Sequence, residues 1–328
     1  GRGYDVTSAY ASPVEVKDSR ILDLEKLEED GLLGNRPIDD GRTEVVAGET
    51  LEEYRTSLGG SVSVGGSYKA FSGSVSAGFS ASTLQRFGQK YATVRSVVRK
   101  DKYFIDGSYD AEALEPYLTE RFRTRLNDPD AAPEELFRDF GTHVITSIFT
   151  GGRVEYSSTV NEEEIETARS FGSVAEAAFG VRFLEVEASA AFSDEEERRS
   201  YNTHAETRVT VYPAGQSSID IANAQEYQVW QEAVAESEDD LLSAFDSNGL
   251  IPLWEFAESQ ARRDEIVTAF EEWLRQAEED LDLGVFSEET MEITLDAYGG
   301  WGLEGGDSDM DIDCDISLSG KSCDSAPV

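Results

Sequence analysis

Hydrophobic and polar residues alternate with a period of two in two paired stretches of the chain. In the first stretch, which opens at Gly59, Val62, Val64 and Tyr68 alternate with Ser61, Ser63, Gly65, Ser67 and Lys69. After a break at 70–73, Val75, Ala77, Phe79 and Ala81 alternate with Ser74, Ser76, Gly78, Ser80 and Ser82. The apolar set lies on even positions before the break and on odd positions after it. This is the pattern of two strands around a turn, each close to the roughly 9 to 11 residues with which a tilted β-strand crosses a bilayer. An ordinary surface hairpin has the same alternation. So much glycine and serine argues against a stable helix there and for a loop or hairpin.

The second stretch runs from Glu162 to Asn202. Phe171, Ala175, Ala177, Phe179, Val181 and Phe183 take odd positions, Val186, Ala188, Ala190 and Phe192 take even ones, and the register flips at Leu184. Glu176, Arg182, Glu185, Glu187 and Ser189 occupy the opposing face. Alanine, glutamate, leucine and arginine also give this stretch helix propensity. The expectation is therefore a segment that is helix in water and strand when inserted, a conflict of local preference and pattern that suits a switching element. The plain alternative is an amphipathic helix followed by an acidic loop.

Elsewhere the periods are simpler. Tyr91 to Ile105 reads as a long strand, and Arg36 to Gly48, polar and punctuated by glycine, reads as a loop. Leu114, Leu118, Phe122 and Leu126 share one face of a helix over 111–126, and a second helix over 130–140 has Pro133 in its first turn. Val144, Ile145, Ile148 and Phe149 then begin a buried strand that reaches Val160, with Gly151-Gly152 permitting a bend within it. A strand over 203–213 precedes two helical stretches, 219–245 and 254–281. The apolar side chains of those stretches, Trp230, Trp254, Phe270 and Trp273 among them, are core candidates.

Charge narrows the class of partner. With 67 acidic against 28 basic residues and a formal net charge of −39, the 328-residue chain is a poor ligand for nucleic acid. Such an acid-rich surface repels itself in dilute buffer, so the expected working medium is high salt and the source halophilic. No run of eighteen apolar residues marks a spanning helix, and no signal-peptide pattern opens the chain. After about Leu283 the composition shifts toward aspartate, dividing the chain into 1–283 and an acidic C-terminal β segment, 284–328. There Asp307, Asp309, Asp311, Asp313 and Asp315 alternate with Ser308, Met310, Ile312 and Cys314, one strand face where calcium could gather or simply a solvated face. Cys314 and Cys323 are either a local disulfide or two free thiols. With His143 and His204 as the only histidines, triads and zinc sites have little support, leaving a secreted hydrolase with paired carboxylates as a remote enzymatic alternative.

One motif joins these elements. Phe140, Gly141, Thr142, His143, a bulky residue, six further residues and then Gly151-Gly152 resemble the signature of the membrane attack complex/perforin (MACPF) family. That family usually places Tyr or Trp where Phe140 stands and an aromatic residue where Val144 stands. The opening Gly1-Arg2-Gly3-Tyr4-Asp5 and the run Ile251-Pro252-Leu253-Trp254-Glu255 resemble the beginning and end of such domains. The resemblance implies an α+β fold, a bent antiparallel sheet like that of the cholesterol-dependent cytolysins, flanked by two helical clusters. In pore-forming members each cluster unfurls into a hairpin, and many subunits close one giant barrel.

On that resemblance the chain is no enzyme. It is a secreted soluble monomer that assembles as a ring or arc on a target-cell membrane and inserts hairpins at about 59–82 and 166–193 among its lipids. Val62, Val64, Tyr68, Val75, Phe79, Phe171, Phe179, Val181, Val186 and Phe192 would face lipid, with Lys69, Glu176, Arg182 and Glu187 facing the lumen. Gly151-Gly152 would be the hinge, and His143 a packing residue. A non-lytic member serving adhesion or signalling is the alternative within the same fold. The charge reading makes its own prediction: the melting temperature is expected to climb as salt is added in a calorimetric series, and a flat or falling series contradicts it.

Overall fold

The computed structural model describes residues 1–60, 70–106, 111–165, 170–212, 221–238 and 241–280, with two short strands beyond them. The chain opens with β1 (Arg2–Tyr4), β2 (Val16–Arg20) and α1 (Leu24–Glu29), the last capped by the Asp23 carboxylate on the Lys26 amide. β3 (Leu33–Gly48) leads into α2 (Leu51–Gly60), and α3 (Ser72–Gly78) and α4 (Ala81–Leu84) lead back into β4 (Gln89–Ile105). α5 (Ala111–Leu114), α6 (Glu120–Asn127) and α7 (Pro133–Phe140) deliver the chain to β5 (His143–Ile145) and β6 (Ser147–Asn161). α8 (Phe171–Phe183), α9 (Ala188–Ala191) and α10 (Glu195–His204) precede β7 (Glu206–Tyr212). α11 (Ala224–Glu236), β8 (Leu242–Phe245), β9 (Leu250–Pro252) and α12 (Gln260–Asp280) follow. Contacts separate Gly1–Leu283 from Gly284–Val328, and in the second unit β10 (Ser317–Leu318) pairs with β11 (Lys321–Ser322).

The fold is α+β, and its centre is an antiparallel sheet in the order β3-β4-β6-β7, with β8 sharing the edge of β6 below β7. Side chains alternate across this sheet, so each face has its own chemistry. On the first face stand Val46, Tyr91, Thr93, Arg95, Arg153 and Ser157. Tyr54 of α2 hydrogen-bonds Thr93 there at 2.8 Å, and its ring meets that of Phe79 at 5.3 Å. On the second face stand Ala92, Val94, Val154, Tyr156 and Val160, buried with Phe171, Phe179 and Phe183 of α8 and with Tyr227 and Trp230 of α11. Two helical clusters therefore flank one sheet, α2–α4 on the first face and α8–α11 on the second.

The sheet is bent, and the bend has a visible cause. Pairing of β3 with β4 shifts register between Pro37 and Asp40, and pairing of β4 with β6 shifts between Arg99 and Lys102, where Arg99 faces Gly151. Gly151 has φ +135°, and a Cβ on it would lie 2.0 Å from the Val98 carbonyl oxygen. Only glycine lets the strands approach so closely at that backbone angle.

Several expectations fail here. The stretch 36–48 is not a loop but most of the 16-residue strand β3. Its charges mislead because it is an edge strand, where polar side chains and Pro37 are tolerated and discourage stray pairing. The strand expected over Val75 to Ala81 is replaced by two short helices, α3 and α4, joined through extended Phe79 and Ser80. Its two large apolar residues turn into the core, Val75 0% and Phe79 4% exposed, and its small residues permit contact: a Cβ on Gly78 would meet Ser157 Oγ at 2.7 Å. Packing against the sheet overrides the poor propensity of serine and glycine. The helix expected over 111–126 is interrupted by a 3-10 turn, Glu115–Tyr117, because Pro116 ends one piece and Thr119 caps the next by accepting from the Phe122 amide. Leu242–Phe245, expected as a helix end, is strand β8, a short fully buried run whose periodicity does not separate the two states.

Replacing Gly151 by Ala is expected to cost about 2–4 kcal/mol of stability, since strain at φ and a backbone clash combine. Urea unfolding measures it, and a loss under about 0.5 kcal/mol would show that the bend does not need this glycine.

Candidate functional site

The motif residues form a buried junction. Gly141 ends α7 with φ +76°, and the backbone of Tyr4 stands 2.7 Å from where its Cβ would be. Thr142 Oγ1 accepts from the Val6 amide at 3.0 Å and donates to the Tyr4 carbonyl at 3.2 Å, fastening the opening segment to the start of β5. Phe140 is fully buried against Phe122, ring centroids 5.2 Å apart. His143 packs edge-on to Trp254 at 5.4 Å and Phe270 at 5.7 Å.

Because the Thr142 hydroxyl proton goes to Tyr4, His143 Nδ1 is the donor to Thr142 Oγ1 at 3.0 Å, and Nε2 is left buried with no hydrogen-bond partner among the described residues. Burial alone pushes the imidazole down to about 3, so it is a neutral packing group at physiological pH.

Gly152 does something different from its neighbour. A Cβ there would lie 2.6 Å from Val234 Cγ2 and 2.9 Å from Trp230 Cζ2, so its absence lets α11 seat directly on the bend. Tyr227 of the same helix shares a 2.6 Å hydrogen bond with Ser96 on β4. The glycine pair thus serves two contacts, strand to strand and helix to strand.

Just past the bend the first face carries a buried ionic row that the sequence pattern did not disclose. Glu44, Arg95, Glu155 and Thr210 are consecutive cross-strand partners on β3, β4, β6 and β7. Arg95 Nε donates to Glu155 at 2.9 Å, its Nη1 lies 3.9 Å from Glu44, and its guanidinium stacks 3.7 Å over the Tyr10 ring. Arg153, fully buried, reaches the Tyr10 and Ser243 carbonyls at 2.7 and 2.6 Å. Burial opposes the charge of Glu155, yet Arg153 and Arg95 outweigh it and hold the carboxyl below its usual range. The signal that could have found this row was the spacing of charges at matching parity on three strands.

The positions proposed from sequence as membrane-facing split into three groups. Val62, Val64 and Tyr68 lie outside the described residues, as do Lys69, the five aspartates Asp307 to Asp315 and the Cys314–Cys323 pair. Val75, Phe79, Phe171, Phe179 and Phe192 are buried in this state, turned inward by α3, α8 and the turns beside them. Val181 is half-buried and Val186 is 40% exposed. Both clusters contain left-handed backbone at side-chain-bearing residues, Phe71 at φ +63° and Glu185 at φ +54°. Glu185 sits where the sequence register flips. Such conformations persist only where surroundings enforce them.

Among the described residues no group of three or more His, Cys, Asp or Glu is placed to hold a metal ion, and no helix is long and apolar enough to cross a membrane. The model of the MAC/Perforin domain matches residues 42–259. The crystal structure of GNIP1Aa from Chromobacterium piscinae is similar with a TM-score of 0.74 and 25% identity, over 86% of this chain and 56% of that one. A putative cell invasion protein with a MAC/Perforin domain from Bacteroides thetaiotaomicron shares the fold, with a TM-score of 0.58 and 14% identity, over 83% of this chain and 59% of that one. The chain thus spans less than two thirds of the length of either. A comparison with curated protein sequences gave no match.

The depressed imidazole predicts a pH dependence. Below about 6.5 the unfolded chain binds a proton that folded His143 refuses until about 3, so this residue's contribution falls as pH drops through that window. Between pH 7 and 5 the wild type is expected to lose about 2 kcal/mol more than His143→Gln in urea unfolding. Equal losses in the two proteins would contradict the assignment.

Proposed function

The chain belongs to the MAC/Perforin domain family, and we propose that it is a secreted pore-forming protein whose two helical clusters convert into membrane-spanning hairpins. The observation that carries this reading is one of phase. β3 ends and β4 begins at the same end of the sheet, Gly48 opposite Tyr91, and β6 and β7 do likewise, Thr159 opposite Glu206. The intervening segments, 49–88 and 162–205, are roughly 40 residues each, ample for two strands of about 9–11 residues apiece.

On the first face β3 and β7 place even-numbered residues and β4 and β6 odd-numbered ones, as Val46, Thr93, Ser157 and Arg208 illustrate. Carried without a bulge beyond the sheet, this alternation takes Val75 and Phe79 from β4, Phe171, Phe179 and Val181 from β6, and Val186 and Phe192 from β7 to that same side. Val62, Val64 and Tyr68 have the parity of β3. Four strands thus agree on one apolar side, which would meet lipid on the side of the first face. Glu176, Arg182, Glu187 and Lys69 would line the lumen on the side of the second.

A bilayer accepts such strands only when every backbone group is paired, so insertion requires many copies. Among the described residues β3 pairs only with β4 and β7 only with β6. A neighbouring copy's β7 against β3 would extend the sheet antiparallel and, repeated, close a ring or arc. Gly151 and Gly152 would serve as the hinge at which the bend opens and α11 lifts or slides.

Crosslinks test the conversion. In a background lacking Cys314 and Cys323, Gly78→Cys with Ser157→Cys ties the first cluster to β6, and Gly172→Cys with Ala47→Cys ties the second to β3. The built Cβ atoms stand 3.3 and 2.7 Å from their partners, closer than the roughly 3.5–4.5 Å of a relaxed bridge, so the helix must give slightly, and bridge formation and folding are checked by mass and circular dichroism first. Oxidised protein is expected to bind liposomes and retain their dye, with release restored by reductant. Full release with both bridges intact would defeat the proposal, and retained dye from the lipid-bound unmodified protein would favour the non-lytic alternative.

A further inference from the structure

Two ion pairs, one exposed and one half-buried, stand where the clusters leave the sheet, and extension of the strands treats them in opposite ways. Resting on the proposed conversion, we infer that Glu206 is a latch that keeps the first cluster helical, whereas the pair of Glu49 with Lys90 is the first rung of the extended hairpin.

Glu206 opens β7, on which the second cluster returns, yet its carboxylate grips the first cluster. Oε2 accepts from Thr83 Oγ1 at 2.8 Å and Oε1 accepts from Arg86 Nη1 at 2.5 Å. Thr83 lies in α4, where its hydroxyl also meets that of the N-cap Ser80 at 2.6 Å, and Arg86 lies in the turn leading to Gln89. Two residues along β7 on the same face, Arg208 donates to the carbonyl of Ala77 in α3 at 3.2 Å. The root of one future hairpin therefore fastens both short helices of the other. The Glu206 carboxyl is held below its usual range, first by Arg86 and then by Thr83.

Neither contact survives extension of β4. Arg86, even-numbered, would turn to the second face, away from Glu206 on the first, with β6 between their strands. Thr83 would keep the right face but stand six positions before Gln89, about 20 Å farther along the strand. Helix and latch must be given up together. The pair Glu49 and Lys90 behaves otherwise. It is the next cross-strand position after Gly48 opposite Tyr91, already closed at 2.8 Å, and lengthening the ladder leaves the pair in place. The long contact in which Glu49 Oε1 accepts from the Phe171 amide of α8 at 3.5 Å is lost on extension, but a glutamine at 49 can still make it, so Glu49→Gln removes the ion pair alone. One ion pair opposes the strand form and the other supports it.

The test uses the full chain and two readouts. Without membrane, Glu206→Gln is expected to speed hydrogen exchange at residues 80–88 about three- to fivefold, the worth of an exposed charged pair, and Glu49→Gln to leave it unchanged. The swap of Glu206→Arg with Arg86→Glu is expected to restore protection. On phosphatidylcholine–phosphatidylserine liposomes, Glu206→Gln is expected to release dye faster than wild type and Glu49→Gln more slowly. Unchanged exchange in Glu206→Gln, or a swap that restores nothing, overturns the latch. Faster exchange together with no release from any variant upholds the latch's grip on α4 and refutes pore formation instead.

Discussion

A β-strand turns successive side chains to opposite sides, and this single constraint ties the sheet of this protein to the segments that now lie folded against it. Because four central strands are in antiparallel register, the parity of each is fixed relative to the others. Any continuation of those strands inherits that parity. On the proposed conversion, the helical clusters are not independent domains attached to a sheet but chain whose extended form would take its phase from the strands that flank it.

In the present state the same apolar residues are satisfied differently. Phe79 lies between Tyr54 and Tyr91, ring centroids 5.3 and 5.1 Å away, and Phe179 lies beside Phe183 at 5.0 Å. Helix is held there by burial rather than by intrinsic preference, since α3 is composed of serine, glycine, valine and alanine. Left-handed backbone at Phe71 and Glu185 and the close approaches at Gly151 and Gly152 show how tightly the folded arrangement is enforced. The buried Arg95–Glu155–Arg153 group gives the sheet centre an ionic cross-brace that apolar packing alone would not specify.

Much of this was legible in the residues themselves. The motif around Phe140 to Gly152 and the strand over 91–105 each found its structural counterpart, because backbone requirements at glycine and the run of β-branched and aromatic residues are written locally. β3 was not legible, since its polar edge looks like a loop until β4 supplies its partners. The helical state of 72–84 was hidden for the opposite reason: its residues alternate with the period of a strand, and contacts distant in sequence, among them those with Ala9, Ser157 and Glu206, hold its two short helices. Nor does local sequence disclose the ionic row, whose members are far apart along the chain and adjacent only in register.

The central claim concerns which way alternate residues point once the second cluster has left the sheet. An environment-sensitive fluorophore placed singly at each position from Ser173 to Phe183, on liposome-bound protein, reads this directly. The account predicts blue-shifted, lipid-quenched emission at odd positions and aqueous emission at even ones. A period near 3.6, or emission unchanged from the soluble protein, would mean that the segment remains helix and that the phase of the sheet has no bearing on the membrane.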